Sequence, residues 1–175
     1  TKATVKIPSF DMKGFNCFEL SGDSILAGGG KGIGYVKNNV YRHIYHLSDR
    51  SPDARIEDLK IGPDGKIWVA RCKGVAALDL KSGILTEVEG LTNICARVLY
   101  RDKTRMFIGT YGHGYFIWEN GKVFKLPLDN NQNLSHVHSF LIDGKNFLWM
   151  STNRGLFRTK YENILKYVNN KSNKI

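Results

Sequence analysis

A chain of 175 residues, 42% hydrophobic, is long enough for one compact domain, and its formal charge of +10 is spread over Lys and Arg along the whole length. No run of five or more like charges marks a nucleic-acid arm, so the surface reads as basic and solvated, suited to acidic ligands rather than to nucleic acid. No apolar run approaches the roughly 18 residues that span a membrane, and three cysteines (Cys17, Cys72, Cys95) without CxxC spacing argue against a disulfide framework and a zinc site.

From the N-terminus, Thr1 to Pro8 alternates, with Val5 and Ile7 on one side, and reads as a strand. Phe18 to Leu20 and Ile25 to Gly28 are the next strands, followed by a Gly-rich loop to Gly34, then Tyr35-Val36 before the turn Asn38-Asn39. Ile56, Leu59 and Ile61 mark a strand, Pro63-Asp64-Gly65 a tight turn, and Lys66 to Ala70 an apolar run of the kind covered on both faces. The loop Arg71-Cys72-Lys73-Gly74 leads to strands Val75 to Leu80 and Ile84 to Val88 across the turn Lys81-Ser82-Gly83. The order recurs in Arg97 to Tyr100, Met106 to Thr110, the loop Tyr111-Gly112-His113-Gly114, Tyr115 to Glu119, the hairpin dipeptide Asn120-Gly121, and Lys122 to Leu126. A fourth pass gives His138 to Ile142, the turn Asp143-Gly144, Phe147 to Thr152, the loop Asn153-Arg154-Gly155 and Leu156 to Thr159.

One short pattern runs through all four passes: Ile25-Leu26-Ala27-Gly28, Ile67-Trp68-Val69-Ala70, Met106-Phe107-Ile108-Gly109 and Leu148-Trp149-Met150-Ser151. With Ile25, Trp68, Phe107 and Trp149 as anchors the spacings are 43, 39 and 42 residues. A β-type period of about 40–45 residues is that of propeller blades, which bury their faces only against neighbouring blades. Gly32, Gly74, Gly114 and Gly155 follow the anchors by six or seven residues, where a backbone with φ > 0 would demand Gly. Thr159-Lys160-Tyr161-Glu162 has the spacing of a capping box. Tyr161, Ile164, Leu165 and Val168 share one helical face, with Asn169-Asn170 as the stop and no packing signal beyond Lys171.

The expected fold is therefore all-β. It has about four blades of four-stranded antiparallel sheet (near 15–50, 55–92, 94–130 and 136–160), part of a larger propeller, and a short C-terminal helix at 160–169. In this frame Thr1 to Pro8 becomes the outer strand of an earlier blade. The lack of an initiator Met and of a secretory signal reads as a mature product or an excised fragment. Terminal blades without neighbours expose apolar faces and invite self-association or further sequence.

Chemistry is sparse. Gly28 to Gly34 fails the phosphate-loop pattern, since Gly32 follows Lys31 where Ser or Thr is needed, and no register gives GxGxxG; it reads as a hairpin loop. His136 and His138 would share one strand face without a third ligand, so no metal is assigned, nor any cofactor. His43 and His46 read as surface or packing residues of an outer strand, and Asp64, Asp79, Asp102 and Asp143 as turn acids. No nucleophile–base pair is readable, so this segment is not expected to be an enzyme. The loops after each second strand and the approaches to each first strand open on one face of a propeller. They carry Arg71, Lys73, Tyr111, His113, Asn153 and Arg154, joined by Arg55, Asn93, Arg97, His136 and His138. Cations, amides, imidazoles and a ring together suit a polar or anionic ligand such as a sugar chain.

The segments Asp64 to Ala70, Phe107 to Gly114 and above all Leu148 to Arg158 resemble the two-component regulator propeller repeat, which runs roughly Asp-x-x-Gly-x-Ile-Trp-Ile-Gly-Thr, a small-residue loop, then Gly-Leu-Tyr-Arg. The resemblance covers about residues 15 to 168; Ala70 and Ser151 stand where the repeat has Gly, and Arg71-Cys72 where it has Thr and its neighbour. It implies the periplasmic sensor region of a Bacteroidetes hybrid histidine kinase. There, paired seven-bladed propellers precede an immunoglobulin-like domain and a membrane span, and many such sensors answer oligosaccharides cut from polysaccharides. It would make this chain an oligosaccharide-sensing segment, tied to a membrane only through other parts of its parent. The competing expectation is an oligomerising interaction scaffold without a small ligand.

Overall fold

The computed structural model describes residues 14–30, 32–48 and 52–172, which leaves the Thr1 to Pro8 strand and Lys31 outside the described residues. Four antiparallel sheets follow one another along the chain, each a propeller blade. Blade 1 is β1 (Phe15–Ser21), β2 (Ser24–Gly29), β3 (Gly32–Lys37) and β4 (Val40–His46); blade 2 is β5 (Asp58–Ile61), β6 (Ile67–Arg71), β7 (Gly74–Asp79) and β8 (Ile84–Thr92). Blade 3 is β9 (Ala96–Asp102), β10 (Arg105–Thr110), β11 (Tyr115–Glu119) and β12 (Lys122–Lys125). Blade 4 has three strands, β13 (Val137–Ile142), β14 (Phe147–Thr152) and β15 (Gly155–Lys160), and then α1 (Tyr161–Ser172).

Alternation sends successive residues of each second strand to opposite neighbours, so both faces must be apolar. Ile67 and Val69 pack toward blade 1 with Leu26, Ile33 and Leu59; Trp68 and Ala70 pack toward blade 3 with Leu99, Met106 and Ile108. Phe107 then faces blade 4, against Phe140, Leu148 and Met150. The first strands stand side by side, β1 on β5, β5 on β9 and β9 on β13, and no comparable contact joins β13 back to β1 among the described residues. The four blades form an open arc.

This packing corrects the first anchor. Ile25 pairs with Leu20 on the outward side of blade 1, and Leu26 is the residue that buries toward blade 2 as Trp68 does toward blade 3. With Leu26 as anchor the spacings become 42, 39 and 42 residues. Gly32, Gly74 and Gly155 open their third strands at φ of 137°, 124° and 130°, and Gly114 precedes β11 at 83°. A Cβ on Gly74 would lie 2.3 Å from the Leu91 carbonyl oxygen and one on Gly32 1.9 Å from that of Tyr45, so the strand crossing leaves no room for a side chain.

Two sequence expectations fail locally. Thr159 is no helix cap: it lies inside β15, the helix starts at Tyr161 directly from the strand, and the Tyr161 N–H donates to the Asn146 carbonyl at 2.9 Å. Asn169-Asn170 does not stop the helix, which runs on to Ser172. Ile164 and Val168 bury against Phe124, Leu126 and Tyr115, and Tyr167 donates to the Lys125 carbonyl, so α1 takes the place of a fourth strand on blade 4. The cysteines depart furthest from expectation. Cys72 and Cys95 form a disulfide across 23 residues, joining the β6–β7 loop to the approach of β9. Cys17 is a buried free thiol, which burial pushes up to about 12.

Candidate functional site

The two rims of the arc differ in kind. On one, the turns between first and second strands close on their own acids. Asp64 accepts from the Lys66 N–H and from the Trp68 indole (2.9 Å), and Asp143 accepts from the Lys145 and Phe147 N–H groups and the Trp149 indole (2.8 Å). These donors hold the Asp143 carboxyl below the usual carboxylate range. Blade 3 has Phe107 where its neighbours have Trp, and its turn acid Asp102 accepts the Tyr161 hydroxyl of α1 instead. In blade 2 the turn acid thus fixes the indole that fills the boundary with blade 3.

The opposite rim carries the β6–β7, β10–β11 and β14–β15 loops and the connections between blades. The β10–β11 loop is rigid: the buried Thr110 hydroxyl donates to the Gly114 carbonyl (2.6 Å) and accepts the His113 N–H (3.1 Å). The Gly112 and Gly114 N–H groups both donate to the Ser135 carbonyl at 3.0 Å, which ties blade 3 to the approach of blade 4. The Tyr111 N–H donates to the Cys95 carbonyl (2.8 Å), so the disulfide anchors the strand end beneath Tyr111. Tyr111 is thereby held with the residue 47% exposed.

Around that ring the sequence-predicted residues converge. The Arg97 guanidinium lies 5.6 Å from the Tyr111 ring centre, and His136 meets the same ring edge-on at 4.3 Å. Glu57 forms ion pairs with Arg97 (3.2 Å) and Arg55 (2.9 Å), which positions both cations without burying them. The connection after β12 is shaped by Asp129, which accepts from Asn131 N–H, Asn133 Nδ2 and Leu134 N–H. It bends the amide-rich run over a cavity of about 660 Å3, lined by Asn130, Asn131, Gln132, Ser135, His136, Asn153 and Arg154.

The remaining expected residues sit differently. His138 bonds Asn153 (2.6 Å) and His136 bonds Ser135 (2.8 Å), so the two imidazoles hold separate partners. Among the described residues no three His, Cys, Asp or Glu side chains gather as a metal site. Arg71 is 6% exposed and paired at 2.5 Å with Glu87 of β8, beneath the rim rather than on it. Lys73 and His113 are exposed on their loops. Sequence reasoning missed Glu57 and the amides of residues 130–132; the run Asp129 to Asn133, five polar turn formers, was the available signal. His43 and His46 stack on each other at 3.5 Å in β4, away from this cavity.

The sequence matches no family model and no curated protein closely enough to place it in a family. The structure is similar to two extracellular domains assigned to hybrid two-component systems of B. thetaiotaomicron. One is 19% identical over 90% of this chain and 22% of that one (TM-score 0.71); the other is 13% identical over 85% and 24% (0.67). The chain thus spans about a quarter of those domains. It also matches the computationally designed proteins Ika4 (13% identity, 90% of this chain, 98% of that one, TM-score 0.65) and Ika8 (14%, 83%, 45%, 0.61). Enzymes share the architecture, among them virginiamycin B lyase from Staphylococcus aureus (15% identity, 84% and 55%, TM-score 0.61). At these identities the likeness is one of fold.

Proposed function

We propose that this chain is a propeller segment of the two-component regulator type, part of an extracytoplasmic sensor that recognises a polysaccharide-derived oligosaccharide on the loop rim of blades 3 and 4. One observation carries the reading: a polar cavity of about 660 Å3 walled by amides, an imidazole and a guanidinium, beside the exposed Tyr111 ring held by Arg97 and His136. Amides and Arg154 match the donor and acceptor pattern of sugar hydroxyls and carboxylates, and an exposed ring offers the apolar face of a pyranose a flat surface. Among the described residues the cavity lining is amide, hydroxyl, imidazole and guanidinium, groups that suit binding of a polar ligand. The Cys72–Cys95 disulfide suits an oxidising compartment, and among the described residues no helix is long and apolar enough to cross a membrane.

The test is calorimetry with neutral and uronate-bearing oligosaccharides, on this chain and on the intact sensor. Binding that falls at least about tenfold in Tyr111→Ala and Arg154→Ala supports the reading. Silence across the set with the intact sensor, or binding indifferent to both substitutions, removes it.

A further inference from the structure

The turn rim carries a second polar cavity, of about 480 Å3, where the turns of blades 3 and 4 meet α1. Three ammonium groups from separate segments line it: Lys103 from the β9–β10 turn, Lys145 from the β13–β14 turn and Lys160 from the end of β15. The lining holds one carboxylate, Glu162, and among the described residues none of the three lysines is ion-paired. The other acids of these turns are committed. Asp102 accepts the Tyr161 hydroxyl, Asp143 accepts two backbone N–H groups and the Trp149 indole, and Glu119 pairs with Arg105 at 2.6 Å. The backbone holds Lys103 against its own preference. Its φ of 49° is left-handed, where the matching two-residue turn of blade 1 has Gly22 at 60°. The left-handed positions in the longer turns of blades 2 and 4 are Gly65 and Asn146. Glycine and asparagine adopt that conformation readily, whereas the Cβ of a lysine crowds the following carbonyl. Lys103 is exposed, so burial does not offset the strain.

We propose that this cavity binds a small molecule carrying a phosphate or sulfate ester, its oxyanion held by Lys103, Lys145 and Lys160 and its carbon part resting on Phe147, Tyr161 and Leu165. An ester oxyanion has three free oxygens and accepts from several ammonium groups at once, in charge-assisted bonds roughly twice as strong as neutral ones. The frame beneath is fixed in advance. The Tyr161 N–H donates to the Asn146 carbonyl at 2.9 Å and its hydroxyl to Asp102, which ties both turns to the start of α1. The three apolar side chains and the volume, within the roughly 300–1,000 Å3 of small-molecule pockets, suit an ester better than a bare anion. The site spans the boundary between blades 3 and 4, on the rim opposite the Tyr111 cavity, and does not depend on a ligand there.

Calorimetric titration of the full chain tests this with phenyl phosphate and phenyl sulfate, with inorganic phosphate and sulfate as bare anions and benzyl alcohol as the uncharged probe. At least one ester should saturate a single site and bind more tightly than its bare anion, and benzyl alcohol should show no such site. Which ester binds tells phosphate from sulfate. Lys103→Asn and Lys160→Gln should each weaken that binding at least about tenfold. Lys81→Gln, on an exposed lysine of blade 2, and Arg154→Ala, on the other rim, should leave it unchanged. Lys103→Asn should also hold or raise the thermal midpoint, because asparagine tolerates the left-handed backbone. A lowered midpoint would assign Lys103 to the fold and count against the site. Far-UV circular dichroism checks folding, and Lys145→Gln replaces a variant that fails it. No saturable binding of either ester, a bare anion bound as tightly as its ester, or equal losses in Lys81→Gln and Lys103→Asn would each overturn the proposal.

Discussion

The two rims of this arc are built from the same four repeats and spend their polar groups in opposite ways. On the turn rim, Asp64 and Asp143 direct their oxygens at backbone N–H groups and at the indoles of Trp68 and Trp149. On the loop rim, Tyr111, Arg97 and His136 are held by neighbours yet keep surfaces turned to solvent, and Arg154 lines the cavity beside them. An acid that completes its own turn is structural. A tyrosine held by its loop and left 47% exposed is not used up by the fold. Function in this fold is therefore sought where order is imposed without burial.

The contrast can be broken or sharpened in order of expected effect on stability. Gly74→Val forces a side chain into φ of 124° with a carbonyl 2.3 Å from its Cβ, and should cost about 4 kcal/mol in denaturant unfolding. A loss under about 1 kcal/mol would show that the strand crossing relaxes. Next comes Cys72→Ser with Cys95→Ser, expected to cost about 3 kcal/mol. Alkylation and mass measurement should find one reactive thiol, Cys17, and only after unfolding. Asp64→Ala removes the acceptor of the buried Trp68 indole and should cost about 1.5 kcal/mol, read from the thermal midpoint.

The pH dependence sharpens the turn rim further. The Asp143 carboxyl is depressed in the folded state, so its contribution is present above its unfolded pKa and is lost as pH falls through the folded one. Stability should decline on acidification through and below the usual carboxylate range, and Asp143→Asn should flatten that slope. The smallest stability effect belongs to the loop rim. Tyr111→Ala should shift unfolding by under about 1 kcal/mol while oligosaccharide binding drops at least about tenfold. A large stability loss there would erase the distinction between the rims.

Much of the architecture was legible because a blade repeats its apolar alternation, its turn acid and its glycine at nearly fixed spacing. The slip of one residue at Ile25 had a physical cause: both faces of a second strand are apolar, so hydrophobicity alone does not say which face a residue serves. Only the presence of Leu59 and Ile67 across the boundary identifies Leu26 as the equivalent of Trp68. The capping box misled because Thr159 satisfies the same local pattern whether it opens a helix or ends a strand, and the pairing of Leu148 with Thr159 decided for the strand. At the candidate site, residue types pointed to Arg97, Tyr111 and His136. The burial of Arg71 under Glu87 and the support of Arg97 by Glu57 come from contacts that residue types do not signal.

By itself the sequence determined the period, the strands, the glycines at the strand crossings and the loops that share a rim, because each depends on local backbone sterics and alternation. Tertiary structure decided which apolar face meets which neighbour, that Cys72 meets Cys95, and that the four blades of the described residues stand side by side as an arc. Those outcomes depend on distances between residues in different blades, which the twist and stacking of whole sheets set.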